Sequence, residues 1–140
     1  MSRVILLAAD RPLPLLEPAF RRVRCTGKFT VETDGFSVRP HEYYRSVVDE
    51  LGVELKPFRY ELDLEVTQED VDALRAYLAD HCRPGERIEL WNLWVGVGRE
   101  DRIPHFQGEL ADLALDTLEQ LCSLPMERDC PGQCRLTVTI

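Results

Sequence analysis

No hydrophobic run in this chain is long. The apolar stretch nearest the start, Val4 to Ala9, covers six residues, short of a signal peptide's core and far short of the roughly 20 residues that cross a bilayer. The expectation is therefore a soluble, cytoplasmic protein with no membrane contact. Cysteines number only five and are unevenly spaced, so a disulfide framework is not expected and a reducing compartment is. Positive charge is also short. The net charge is −8, made of +4 over the first 28 residues and −12 over the rest, and such a surface repels a polyanion. The basic cluster "FRRVR" is too short for a phosphate track, so it is expected to lie against the acidic body of its own fold. Nucleic acid is not an expected partner.

The signatures of common chemistries are missing as well. "DCPGQC" places Cys130 and Cys134 four apart, admissible for one zinc knuckle, but a structural zinc needs four ligands and no second knuckle exists. Redox dithiols favour a two-residue spacing at a helix N-terminus, whereas a strand-like run follows here. The stretch reads as a turn bearing thiols, and neither a metal nor a cofactor is expected. "GVGRED" offers Gly96 and Gly98 after a strand, yet the third glycine of a phosphate loop is absent and Pro104 interrupts the helix that should begin there. There is no P-loop lysine and no nucleophile elbow.

What is present is an architecture. With 140 residues, 44% of them hydrophobic, the chain suits one domain, residues 1–140, able to bury a core without staples. "RVILLAA" and "IELWNLWV" are apolar on both faces, as central strands are. "PFRYELDLEV" and "CRLTVTI" alternate, as strands with one wet face do. Between the first two lies "DRPLPLLEP", whose prolines forbid helix and suggest an extended edge segment. Asp34-Gly35 between Phe29, Val31, Phe36 and Val38 signals a hairpin of residues 29–38 closed by a type I′ turn. The 3.6-residue period predicts three helices, near 41–52, 67–82 and 108–122. Thr67 and Asp70 nearly make a capping box, and Gly52 is placed to end the first helix.

These elements fit an α/β or α+β fold: one mixed sheet, amphipathic helices mainly on one face and an accessory hairpin. The strand–helix–strand path over 57–95 favours a parallel crossover. The opposite face of the central strands then needs a cover, from the hairpin, the proline segment or a second protein molecule. For function two classes remain. The first is a protein-interaction or regulatory domain that meets a protein partner or a second copy of itself through a sheet face or edge. It would offer Trp91, Asn92 and Trp94, since tryptophan anchors interfaces, together with the carboxylate row Glu61, Asp63 and Glu65. The bland reading of that row is a solvated face paired with arginines. The second class is an enzyme or ligand-binding domain with its site at the carboxyl ends of the central strands, where Asp10 is the one catalytic candidate. The alternation at 58–66 carries a direct test by chemical denaturation. Leu62→Ala should cost about 2–5 kcal/mol and Glu61→Ala no more than about 0.5 kcal/mol; equal costs would mean the wrong register.

Overall fold

The computed structural model describes residues 2–18, 20–95, 103–122 and 133–140. In chain order these form β1 (Ser2–Ala9), β2 (Arg21–Thr26), β3 (Phe29–Asp34), β4 (Ser37–Pro40), α1 (Arg45–Glu50), β5 (Phe58–Asp63), α2 (Gln68–His81), β6 (Arg87–Val95), β7 (His105–Glu109), a 3₁₀ turn (Leu110–Asp112), α3 (Leu115–Cys122) and β8 (Cys134–Thr139). Six strands make one mixed sheet in the order β4-β5-β1-β6-β8-β7, and β2 with β3 forms a separate two-stranded ribbon. The fold is mixed α+β. Among the described residues no helix is long and apolar enough to cross a membrane.

The two strands that are apolar on both faces, β1 and β6, are neighbours at the centre, in antiparallel register from Ser2 opposite Val95 to Ala8 opposite Glu89. Burial on both sides is what their composition requires. One face packs Ile5, Leu7, Ile88, Leu90 and Leu62 beneath Leu74 and Leu78 of α2 and Leu118 and Leu121 of α3. Each such leucine, fully buried, contributes about 1.5–3 kcal/mol. The other face gathers Val4, Leu6, Ala8, Trp91, Leu93 and Val95 under Val48 of α1, with Val47, Val53, Leu55 and Ile103 at the margin. The second face is thus roofed by α1 and the segment after it, whereas the ribbon is anchored elsewhere.

The strands flanking the helix α2, β5 and β6, run in the same direction, as the crossover reading requires. They are not neighbours: β1 lies between them, antiparallel to both. The parallel neighbours are β7 and β8. The helix expected from 108 begins only at Leu115, because Gly108 and Glu109 end strand β7 and Leu110–Asp112 form the 3₁₀ turn. Only Phe106 and Gly108 point inward along β7, so it carries too little apolar alternation to be read as a strand.

Helix α2 starts as its sequence indicates. Thr67 is extended and its side chain accepts the Asp70 N–H at 3.1 Å, the hydroxyl in turn donating to the Asp70 carboxylate at 2.5 Å. Helix α1 is only one and a half turns and ends at Gly52, which takes φ +69°. Tyr44, within the span expected to be helical, is half exposed and sits in the left-handed region at φ 59° just before the helix. The proline segment is extended, as its composition requires, and clamped along its length. Leu16 bridges Val38 through two main-chain hydrogen bonds of 3.0 and 2.9 Å, Tyr60 accepts the Leu13 N–H at 2.8 Å, and Tyr77 donates to the Pro14 carbonyl at 2.6 Å.

The hairpin is displaced from its expected position. Asp34-Gly35 is not a turn: Gly35 has no positive φ, and the chain passes through it from β3 into β4, which joins the main sheet against β5. The reversal is Gly27-Lys28, flanked by the pair Thr26 and Phe29, with Gly27 at φ +62°. Positive φ at the first of two loop residues is the type II′ pattern. Gly35 is small for another reason. A Cβ there would lie 2.6 Å from the Phe20 carbonyl oxygen and 2.7 Å from its ring, so the absent side chain leaves room for Phe20 across the strand pair. Gly35→Ala should therefore destabilise the fold by about 1–3 kcal/mol, read by denaturant unfolding. The cost should shrink in part when Phe20 is first replaced by Ala, since the ring clash goes and the carbonyl clash stays; equal costs in both backgrounds would assign the whole constraint to the carbonyl and none to the ring.

Candidate functional site

The ribbon is joined to the body through one arginine. Arg22 is buried, and its guanidinium meets Asp70 side-on, Nε to Oδ1 at 3.0 Å and an NH2 nitrogen to Oδ2 at 2.5 Å. Its other donors reach the Asp63 carboxylate at 2.9 Å and the carbonyls of Asp34 at 2.7 Å and Asp63 at 3.0 Å. The planar fork thus ties β2, β3, β5 and α2 together, a geometry lysine cannot reproduce. Asp70 is inaccessible and also accepts the Glu65 N–H at 3.0 Å. Burial alone would raise its pKa. The Arg22 guanidinium, the Glu65 N–H and the Thr67 hydroxyl outweigh that and hold it below the usual carboxylate range. Burial likewise works against the charge on Arg22, and the bonds to Asp70 and Asp63 raise its pKa regardless.

Beyond this anchor the ribbon extends outward. Phe29 is 77% exposed, Val23 59% and Val31 46%. The register places Phe29, Val31 and Arg24 on one ribbon face and Val23 with Arg21 on the other,. Neither strand has a second partner among the described residues, so both edges are open. Two concavities lie beside β2. One cavity of about 290 Å³ lies between residues 20–24 and Glu65, Thr67 and Glu69. A second, of about 410 Å³, shares Phe20 and Arg21 with it and is lined as well by Glu17, Pro18 and Asp34. A third concavity, about 130 Å³, lies between β7 and α3 near Phe106 and Thr117.

The residues singled out from sequence are scattered. Asp10 follows β1 directly, but its side chain is 68% exposed and pairs with Lys56 at 2.6 Å; it lines none of the three concavities. Of the histidines, His81 packs its ring against Tyr77 at 4.9 Å, His105 meets Thr137 at 2.9 Å, and His41 is buried. Burial lowers the His41 pKa, helped by Arg45 and Arg59. None of these contacts brings a histidine to Asp10. Gly96, Gly98 and Cys130 lie outside the described residues. Cys134 is buried, and burial pushes its thiol up to about 11. Among the described residues no cluster of three or more His, Cys, Asp or Glu is placed to hold a metal ion.

The tryptophans point to opposite faces, as alternation requires. Trp91 is buried in the core roofed by α1, with the Arg135 guanidinium 5.3 Å from its ring centre, while Trp94 is only partly covered. Asn92 is buried and donates to the Leu121 carbonyl at 3.0 Å, pinning the end of α3 to the sheet. The carboxylate row is paired with the chain's own arginines: Glu61 with Arg39 at 3.8 Å, Asp63 with Arg22 at 2.9 Å, and Glu65 with Arg24 and, at 3.8 Å, Arg22. The basic cluster lies against the acidic body. What sequence reading passed over is that "RRVRCT" is itself a strand. The signal was Gly-Lys between two alternating segments, a type II′ loop in its own right.

Comparisons with known protein families, with curated proteins and with solved structures find no match to this chain.

The anchor has a measurable signature. The Asp70 pKa is depressed in the fold, so its contribution is complete above the unfolded value of about 3.9 and is lost as pH falls through and below it. Stability should fall steeply below about pH 4 in the native protein and less steeply in Asp70→Asn. Arg22→Ala, which leaves Asp70 buried and unpaired, should cost about 3–5 kcal/mol at neutral pH. Denaturant melts across pH check both, and parallel acid profiles for native and Asp70→Asn protein would refute the first.

Proposed function

We propose that this protein is an interaction domain whose recognition element is the β2–β3 ribbon. The observation that carries the reading is the exposure of Phe29, Val23 and Val31 on a two-stranded projection with open edges. A lone two-stranded ribbon is barely stable by itself. This one is held by a buried, five-bonded arginine at its base, which orders a projection that otherwise exposes apolar surface to water. Rigid presentation of aromatic and aliphatic side chains is how protein interfaces place their anchors. The free thiols, including exposed Cys25, fit a reducing, cytoplasmic setting. The enzyme reading has less support, since Asp10 is exposed and paired with a lysine rather than set in a pocket with a base.

The test is quantitative affinity purification from the cells that make the protein, using the full chain and a Phe29→Ser/Val31→Ser variant. Both positions are exposed, so the variant should melt within about 0.5 kcal/mol of the native chain. A partner recovered by the native chain and lost by the variant is the expected result. Retention of every partner by the variant, or recovery of none by either chain, would overturn the proposal.

A further inference from the structure

The roof over the second sheet face is built from a lightly secured part of the chain. It is pinned at both ends. On one side β4 ends at Pro40 against β5. On the other the Lys56 N–H donates to Glu89 at 3.0 Å, and the Lys56 ammonium pairs with Asp10 at 2.6 Å. Between them lies α1, six residues long. Tyr44 enters it from the left-handed region at φ 59° and gives it no side-chain cap; its first turn holds no carboxylate,. Arg45 sets a cation at the positive end of its dipole,. Only Val48 of the helix is fully buried, and among the described residues the one ion pair joining α1 to the sheet is Asp49 with Arg59. Yet this segment covers Val4, Leu6, Trp91 and Leu93.

At its start lies a side chain with no room for a proton. His41 is 2% exposed, and neither ring nitrogen has a hydrogen-bond partner. The Tyr43 main chain is near enough to favour the proton slightly, without the geometry of a hydrogen bond. The charged groups that face the ring are Arg45 and Asp49 from α1 and Arg59 from β5. Two guanidiniums thus stand against one carboxylate, and that carboxylate is already bonded to Arg59. Arg39, two residues before the ring, is paired with Glu61 of β5 at 3.8 Å. An imidazolium here would be buried, unbonded and among like charges, costs that water removes. We infer that residues 41–55 form an acid-released lid, closed over the second sheet face while His41 is neutral and lifted when His41 takes a proton. The inference does not depend on the role of the ribbon.

The sign follows from linkage. Burial, Arg45 and Arg59 depress the His41 pKa in the closed form, while an open lid leaves it at the solvated value of about 6.5. The lid is secure above that value. As pH falls below it the open form binds one proton more, and the ratio of open to closed rises about tenfold per pH unit until the depressed pKa is reached. The Asp70 anchor is lost only below about pH 4, so the two events are separate.

The experiment is amide hydrogen exchange of the full chain, read by mass spectrometry from about pH 8 to 5 and corrected for the intrinsic pH dependence of exchange. The opening ratio of the α1 amides should rise about tenfold per unit below about pH 6.5 while that of α2 stays level. His41→Gln should abolish the rise. Should that variant fail to fold, ring-proton NMR of the native chain decides, with His81→Gln and His105→Gln assigning the resonance: His41 should titrate below about 6.5. A level α1 opening ratio, a rise retained in His41→Gln, a parallel rise in α2 that marks global unfolding, or His41 titrating at or above the solvated value would each overturn the inference.

Discussion

The pairing of Arg22 with Asp70 is the constraint on which the outer half of this structure depends. Asp70 is at once the third residue of α2, the acceptor for the N-cap hydroxyl and the partner of a guanidinium arriving from a strand 48 positions earlier. A carboxylate with no access to water is tolerable only when its oxygens are filled, and here a bidentate arginine, a backbone N–H and a hydroxyl fill them. Buried ion pairs of this kind contribute little net stability compared with a hydrophobic replacement, but they are directional. A greasy patch at the same place would hold the ribbon; it would not set its angle.

The same logic accounts for the charge distribution. A chain with a net charge of −8 concentrates its early positive charge in one segment, and that segment is the ribbon. Arg22 and Arg24 neutralise the carboxylates at the end of β5 and the start of α2, while Arg11 does the same for Glu86 at 2.6 Å near the end of that helix. The acidic row that looked available for a partner is engaged within the molecule, and what the ribbon leaves exposed of apolar surface is Phe29, Val23 and Val31.

Legibility from sequence followed the strength of periodic patterning. Strands β1 and β6 were readable as central because no polar face interrupts them, β5 and β8 as their flankers because they alternate, and α2 because a cap, a stripe and a stop agree. The misreadings came where one residue type serves two ends. Asp34-Gly35 has the composition of a tight turn, but Gly35 is there to admit the carbonyl and ring of Phe20, a demand set by a residue fifteen positions away and invisible to local rules. Strand β7 was missed because its order derives from parallel pairing with β8. The ribbon's role was hidden for a related reason: arginines in a strand read as surface charge until the carboxylate that buries one of them is located in space.

The central position of β1 has a further consequence, in the order of synthesis. Its antiparallel partners are β5, ending at Asp63, and β6, ending at Val95. At about 5–20 residues per second, an apolar segment synthesised before both partners waits several seconds for the strands that cover its two edges. During that interval it is a short β-prone stretch with nothing to pair with, and the proline-rich residues that follow cannot fold back as a helix to shield it. The strand that organises the finished sheet is thus the nascent chain's most exposed liability, and the residues most in need of a chaperone are the ones that end most deeply buried.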